Sequence, residues 1–152
     1  MSFFTKTYEF KGKHAEMVRK LTDMGALNCK NIDIFLISIS LGITRNLKAD
    51  IDNSSSTETA KVLSEQMVYH GDEIEYFYKL LMLSDNSYCT SAEERCNKAF
   101  RYIGTEKAER DETHFTKVLL GGLEFLYSQI LENTSSKNDI FKNICDFVET
   151  CE

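Results

Sequence analysis

Apolar residues recur at helical spacing along most of the chain, in short stripes separated by polar turns. Met17, Val18, Leu21 and Met24 predict a first helix over about 12–24, with Gly25 as its stop. Ile32, Phe35, Leu36, Ile39 and Ile43 form the stripe of a second helix over about 32–42. Asn31 is its expected cap, Asp33 supports the first turn and Gly42 is the expected end. Ile34, Ile37 and Leu41 widen the stripe until the helix is apolar almost all round, which places it at the centre of the fold. Its β-branched content also fits a buried strand.

A third helical region spans about 58–84, carried by Ala60, Leu63, Met67, Ile74, Phe77, Tyr78, Leu80 and Leu81, with a break expected near Gly71. Ser91 and Glu94 make a capping box before a helix over about 92–103, whose stripe is Ala92, Cys96, Ala99, Phe100 and Ile103. Phe115, Val118, Leu119, Leu123, Leu126, Tyr127 and Ile130 mark a long helix over about 106–132. Gly121 and Gly122 in its middle cost helix propensity, which predicts a close helix contact or a bend there. Ile140, Phe141, Ile144, Phe147 and Val148 form a last core stripe over about 138–150. At the N-terminus Phe3, Phe4, Tyr8 and Phe10 alternate with polar residues, as in an arm packed on the body or a strand with no visible partner.

These elements predict an all-α, single-domain helical bundle of about six helices over 1–152. Residues 1–11 form a short aromatic-rich arm and 44–57 an internal polar loop. A chain of 152 residues with 42% hydrophobic and 28% charged residues has the composition of one globular domain. The absence of proline suits long helices. The longest apolar run, around Ile34–Ile37, falls well short of the roughly 20 residues of a membrane span, so no membrane partner is expected. Five cysteines without a CxxC pair, and no signal-peptide pattern, point to a reducing cytoplasmic setting.

Charge changes the picture more than composition does. Residues 1–48 carry a formal +4 and residues 49–152 a formal −10. That asymmetry bears on partners and steering rather than on chemistry. Lys13, Arg19, Lys20, Arg45 and Lys48 are the candidate basic contacts, and Phe3, Phe4, Tyr8, Tyr76 and Tyr78 the candidate aromatic anchors. The second helix is too apolar to read bases, and Lys107 and Arg110 interrupt the acidic stretch that a nucleic-acid mimic would need.

Catalytic chemistry finds little support in the sequence. Asp111 and His114 share one helix face, but no second such pair completes a bundle metal site, and solvent-facing polarity is the simpler expectation. His14 reads as part of the basic surface and His70 as a residue near a helix end. Cys96 sits at a core-like position, and Cys89 is the better candidate for a reactive thiol, without a histidine near it in sequence. The glycines match neither a dinucleotide fingerprint nor a P-loop. No cofactor, metal or small-molecule substrate is therefore expected. The resulting expectation is a non-enzymatic adaptor, regulator or subunit that binds another protein, or its own copy, through a charge-polarised surface. The alternative is a nucleic-acid-associated accessory protein using the basic N-terminal third, or an acidic inhibitor of a nucleic-acid-binding protein.

Overall fold

A computed structural model describes residues 3–151, the Phe3 side chain excepted. Seven helices make up the bundle: α1 (Gly12–Thr22), α2 (Asn31–Thr44), α3 (Ser64–Tyr69), α4 (Gly71–Ser84), α5 (Ala92–Phe100), α6 (Glu109–Ile130) and α7 (Lys137–Thr150). Short 3-10 turns at Phe3–Thr5 and Glu106–Ala108 precede the first strand and α6. Two strands, β1 (Tyr8–Phe10) and β2 (Ala60–Val62), pair antiparallel with Glu9 opposite Lys61.

The N-terminal strand, expected without a partner, finds one in the region predicted as the start of the third helix. Ala60 and Val62 are buried and Lys61 is exposed, a two-residue alternation that suits a strand. The helix starts only at Ser64, where Thr7 of the arm accepts a hydrogen bond from the Ser64 N–H at 3.2 Å. The predicted break at Gly71 separates α3 from α4. Asn31 is already inside α2 and donates to the Lys61 carbonyl, while the Asp33 carboxylate accepts the Lys30 N–H at 2.9 Å. Acidic Glu109, Asp111 and Glu112 occupy the first turn of α6, where they favour its N-terminal dipole.

Helix α2 lies against α6 at the centre, and their contact explains three glycines. Gly42 does not end α2; the helix runs through it to Thr44. A methyl group at Gly42 would run into the Val118 carbonyl, and one at Gly122 into the Ser38 carbonyl. One at Gly121 would meet the backbone of Leu47 and Lys48. The glycine pair in α6 thus serves close backbone approach. The polar loop after α2 is pinned by the same surface, with the Ala49 N–H donating to the Lys117 carbonyl at 2.9 Å.

Around this crossing, aromatic rings join the arm to the helices. Phe4 and Phe10 are buried, and Tyr8 packs edge-on against Phe10 and Phe35 with centroids 4.9 and 5.3 Å apart. Phe4 meets Tyr78 edge-on at 5.4 Å, and Tyr78 lies 5.7 Å from Phe115. The expectation of an arm packed on the body holds for these residues. Met24 lies past the end of α1 and is 84% exposed, outside the core stripe it was expected to join.

Alanine at Gly122 should cost more than about 3 kcal/mol, because the clash is with backbone that cannot rotate away. Alanine at Gly71, where a methyl group meets nothing, should instead raise stability by roughly 0.5 kcal/mol. Urea midpoints of the two variants should therefore move in opposite directions.

Candidate functional site

The loop from Asp85 to Ser91 folds over the start of α6 and closes a polar network beneath it. Asp85 follows α4; its Oδ1 accepts from the Ser87 hydroxyl at 2.6 Å and the Tyr88 N–H at 3.1 Å. Its Oδ2 pairs with His114 Nε2 at 2.9 Å and lies 3.7 Å from Lys48 Nζ. The Tyr88 ring stacks flat on the His114 imidazole, with centroids 3.8 Å apart. Its hydroxyl donates to Asp111 Oδ1 at 2.7 Å, and Lys98 Nζ donates to the same oxygen at 2.9 Å. Arg95 holds the loop from the side, donating to the carbonyls of Leu83, Cys89 and Thr90.

Asp111 and His114 are thus buried rather than solvent-facing. They share a helix face but not a ligand: each faces a different loop or helix partner, Asp85 for His114, Lys98 and Tyr88 for Asp111. Burial pulls the His114 pKa down, and the Asp85 hydrogen bond opposes this without cancelling it. Burial also works against the Asp85 carboxylate, but hydrogen bonds from Ser87, His114 and the Tyr88 N–H, with the Lys48 charge, hold its pKa below the usual range. Burial and the nearby Asp111 charge push the Tyr78 hydroxyl up, so it stays protonated. Among the described residues no group of three or more His, Cys, Asp or Glu side chains could hold a metal ion.

Besides a cleft of about 320 Å3 at Asp85, Asn86 and Ser87, two open clefts flank this network. One of about 460 Å3 is lined by Tyr88, Glu109, Arg110, Thr113, His114 and Lys117. The other, about 440 Å3, is lined by Lys13, Lys48, Ala49, Asp50, Lys117 and Glu124. His114 contributes little surface to the first, being only 6% exposed. Its visible task is to tie the Asp85–Ser91 loop to α6.

Four of the five predicted basic contacts line two clefts. Lys13 and Lys48 share a cleft, whereas Arg19 and Lys20 line a separate one of about 570 Å3 between α1, the α6 C-terminus and α7. Arg45 lies over the Phe125 ring at 4.8 Å. Three of these cations meet acids from the second part of the chain: Lys13 with Glu124 at 2.9 Å, Arg19 with Glu58 at 3.5 Å and Lys48 with Asp85. Charge that is separated along the sequence is partly paired across the fold. His14 is buried beneath Lys13 and meets the same Glu124 oxygen at 2.9 Å, so it is not part of the basic surface.

Of the aromatic anchors, Phe4 and Tyr78 are core residues with no surface to offer a partner, and Tyr8 is half-buried against Phe35. The Phe3 side chain lies outside the described residues. Tyr76 is 62% exposed. Phe100 and Cys96, assigned to a core stripe, are exposed because α5 is short and turns mainly Ala99 inward against the body. All five cysteines are free thiols, and Cys89 is half-buried with its Sγ 3.8 Å from the Ser91 carbonyl.

The largest correction concerns α7. Ile140, Ile144 and Phe147 pack toward the core, with the Phe147 ring 6.4 Å from Phe125. Phe141, Cys145 and Val148 form a second stripe on the outer side, and Phe141 is 70% and Val148 54% exposed. The single core stripe predicted over 138–150 thus divides into a packed and an exposed part. On the helical wheel the five apolar residues 140, 141, 144, 147 and 148 fall within one arc of about 120°, so spacing by itself does not separate the exposed Phe141 and Val148 from the packed stripe. No helix among the described residues is long and apolar enough to cross a membrane. Comparison with family models, curated proteins and solved structures gives no match to this chain.

Acid should weaken the fold through His114. The unfolded chain takes up a proton near the ordinary imidazole value of 6.5, whereas the buried ring resists it to lower pH. This contribution to stability is complete above 6.5 and declines as pH falls through it. Urea midpoints measured from about pH 7.5 to 5.5 should fall, with a slope below about 1.4 kcal/mol per pH unit from this group, and His114→Gln should flatten that slope.

Proposed function

We propose that this chain is a non-catalytic interaction protein, an adaptor, regulator or subunit that works by holding another protein chain. The observation that supports this reading is the outer face of α7, where Phe141 and Val148 stay exposed although the helix already has an inner stripe to anchor it. Large apolar side chains arranged in a stripe, rather than scattered singly, are the pattern of a contact surface. Tyr76 and Phe100 add exposed rings elsewhere, with Lys79 Nζ 5.6 Å over Phe100. Lys13, Arg19 and Lys48 are paired within the fold, which suits the remaining cations of the N-terminal third to orienting a partner more than to gripping one.

Affinity capture from the native host with the tagged chain tests this. Wild type should retain a stoichiometric protein partner, an untagged copy of the same chain included, and Phe141→Glu should release it. Clean recovery of the bait alone, at low salt and high expression, would remove the reading.

Association with nucleic acid is a second reading, supported by Lys13, Lys48 and Lys117 around one cleft. Glu124 and Asp50 in the same lining reduce the field there, so any such contact would be to backbone phosphate and steeply salt-dependent. Gel retardation at low salt should show binding that Lys117→Glu abolishes; no shift for wild type would sink this reading.

A further inference from the structure

We infer that the outer face of α7 pairs with the same face of a second copy, antiparallel, with Cys145 close to the two-fold axis. The inference rests on the protein-binding reading of that face and names its partner. Phe141, Cys145 and Val148 follow one another at spacings of four and three, so they form one seam along a helix of 14 residues. That seam is self-complementary about its middle: Phe141 near one end and Val148 near the other exchange places under a two-fold rotation centred beside Cys145.

Charge selects the direction. Lys142 and Glu149 are seven residues apart and therefore share one flank of the seam. In a parallel pair the flank that carries Lys142 and Glu149 lies opposite the other flank of the partner helix, so neither charge meets its complement. Turned antiparallel, Lys142 of each copy faces Glu149 of the other, twice per dimer. Exposed ion pairs of this sort choose orientation more than they add affinity. A seam of one helix, about 21 Å long, is smaller than the roughly 800 Å2 per partner of a standard interface, so the dimer should be weak and concentration-dependent.

The test uses the full chain. Light scattering after size exclusion should show the mass doubling between low and high micromolar concentration. Phe141→Glu, at a side chain exposed enough to leave the fold intact, should hold it at the monomer mass. Lys142→Glu should weaken association, and the double variant Lys142→Glu with Glu149→Lys should restore it. Copper phenanthroline, accepting two electrons from two thiols, should yield a disulfide-linked dimer that Cys145→Ser abolishes and Cys151→Ser does not. In the antiparallel pair the two Cys151 positions lie about 20 Å apart along the axis, beyond disulfide reach. A strictly monomeric wild type, a cross-link that needs Cys151 instead of Cys145, or no rescue by the double charge swap would each overturn the inference. If the chain is monomeric yet captures a different protein that Phe141→Glu releases, the inference falls and the protein-binding reading stands. If it is monomeric and captures nothing, both fall.

Discussion

The backbone of α6 at Gly121 and Gly122 lies directly against the backbone of α2 at Ser38 and the chain leaving its end at Leu47 and Lys48, and most of the architecture follows from that approach. Side chains on both helices would hold them apart at the usual 8–10 Å or so. Four small residues, Ser38 and Gly42 on one helix and Gly121 and Gly122 on the other, remove that spacing. Helix α2 can then be apolar nearly all round, because α6 covers one side and the aromatic arm and α4 pack on others, leaving Ile37 exposed. The glycines lose helix propensity of about 1 kcal/mol each, which the packing of the long α6 stripe offsets.

The same crossing positions the polar residues. The Ala49 N–H reaches the Lys117 carbonyl only because Gly121 lets the loop after α2 lie on α6. Lys48 is thereby brought to Asp85, and Asp52 to the start of α1, where it accepts the Lys13 N–H at 3.0 Å. Hydrogen bonds from Lys13 and Ser54 hold the Asp52 carboxyl down at about 2. Three cations of the first third, Lys13, Arg19 and Lys48, thus meet carboxylates of the remainder. A chain with +4 in one part and −10 in the other need not have a polarised surface, because folding brings opposite charges together.

The buried His114–Asp85 and Lys98–Asp111 pairs look like chemistry in isolation, yet their geometry is that of a clasp. Each carboxylate takes bonds from a side chain on another element, and Tyr88 sits between the two pairs, stacked on one and bonded to the other. Buried ions are tolerated when paired in this way, and they specify how the loop docks more than they raise net stability.

The order of the helices was legible because hydrophobic periodicity is a local property, although six were predicted where seven form: the stripes at Val18–Leu21, Phe35–Ile39, Ile74–Leu81 and Phe115–Ile130 are core in the fold as in the sequence. Gly71 as a break and Gly121–Gly122 as a contact were legible for the same reason, since their cost is paid within the helix itself. What periodicity does not carry is direction relative to distant elements. Strand β2 exists only because β1, some fifty residues earlier, offers it a ladder. His14 and Asp111 are buried because Glu124 and Lys98 meet them from other helices. Whether Phe141 faces the core or solvent depends on which side of α7 meets α6. The sequence alone determined which residues form helices and which glycines permit contact; only tertiary structure decided partners, because hydrogen bonds, ion pairs and burial are made between segments whose separation in space no local pattern encodes.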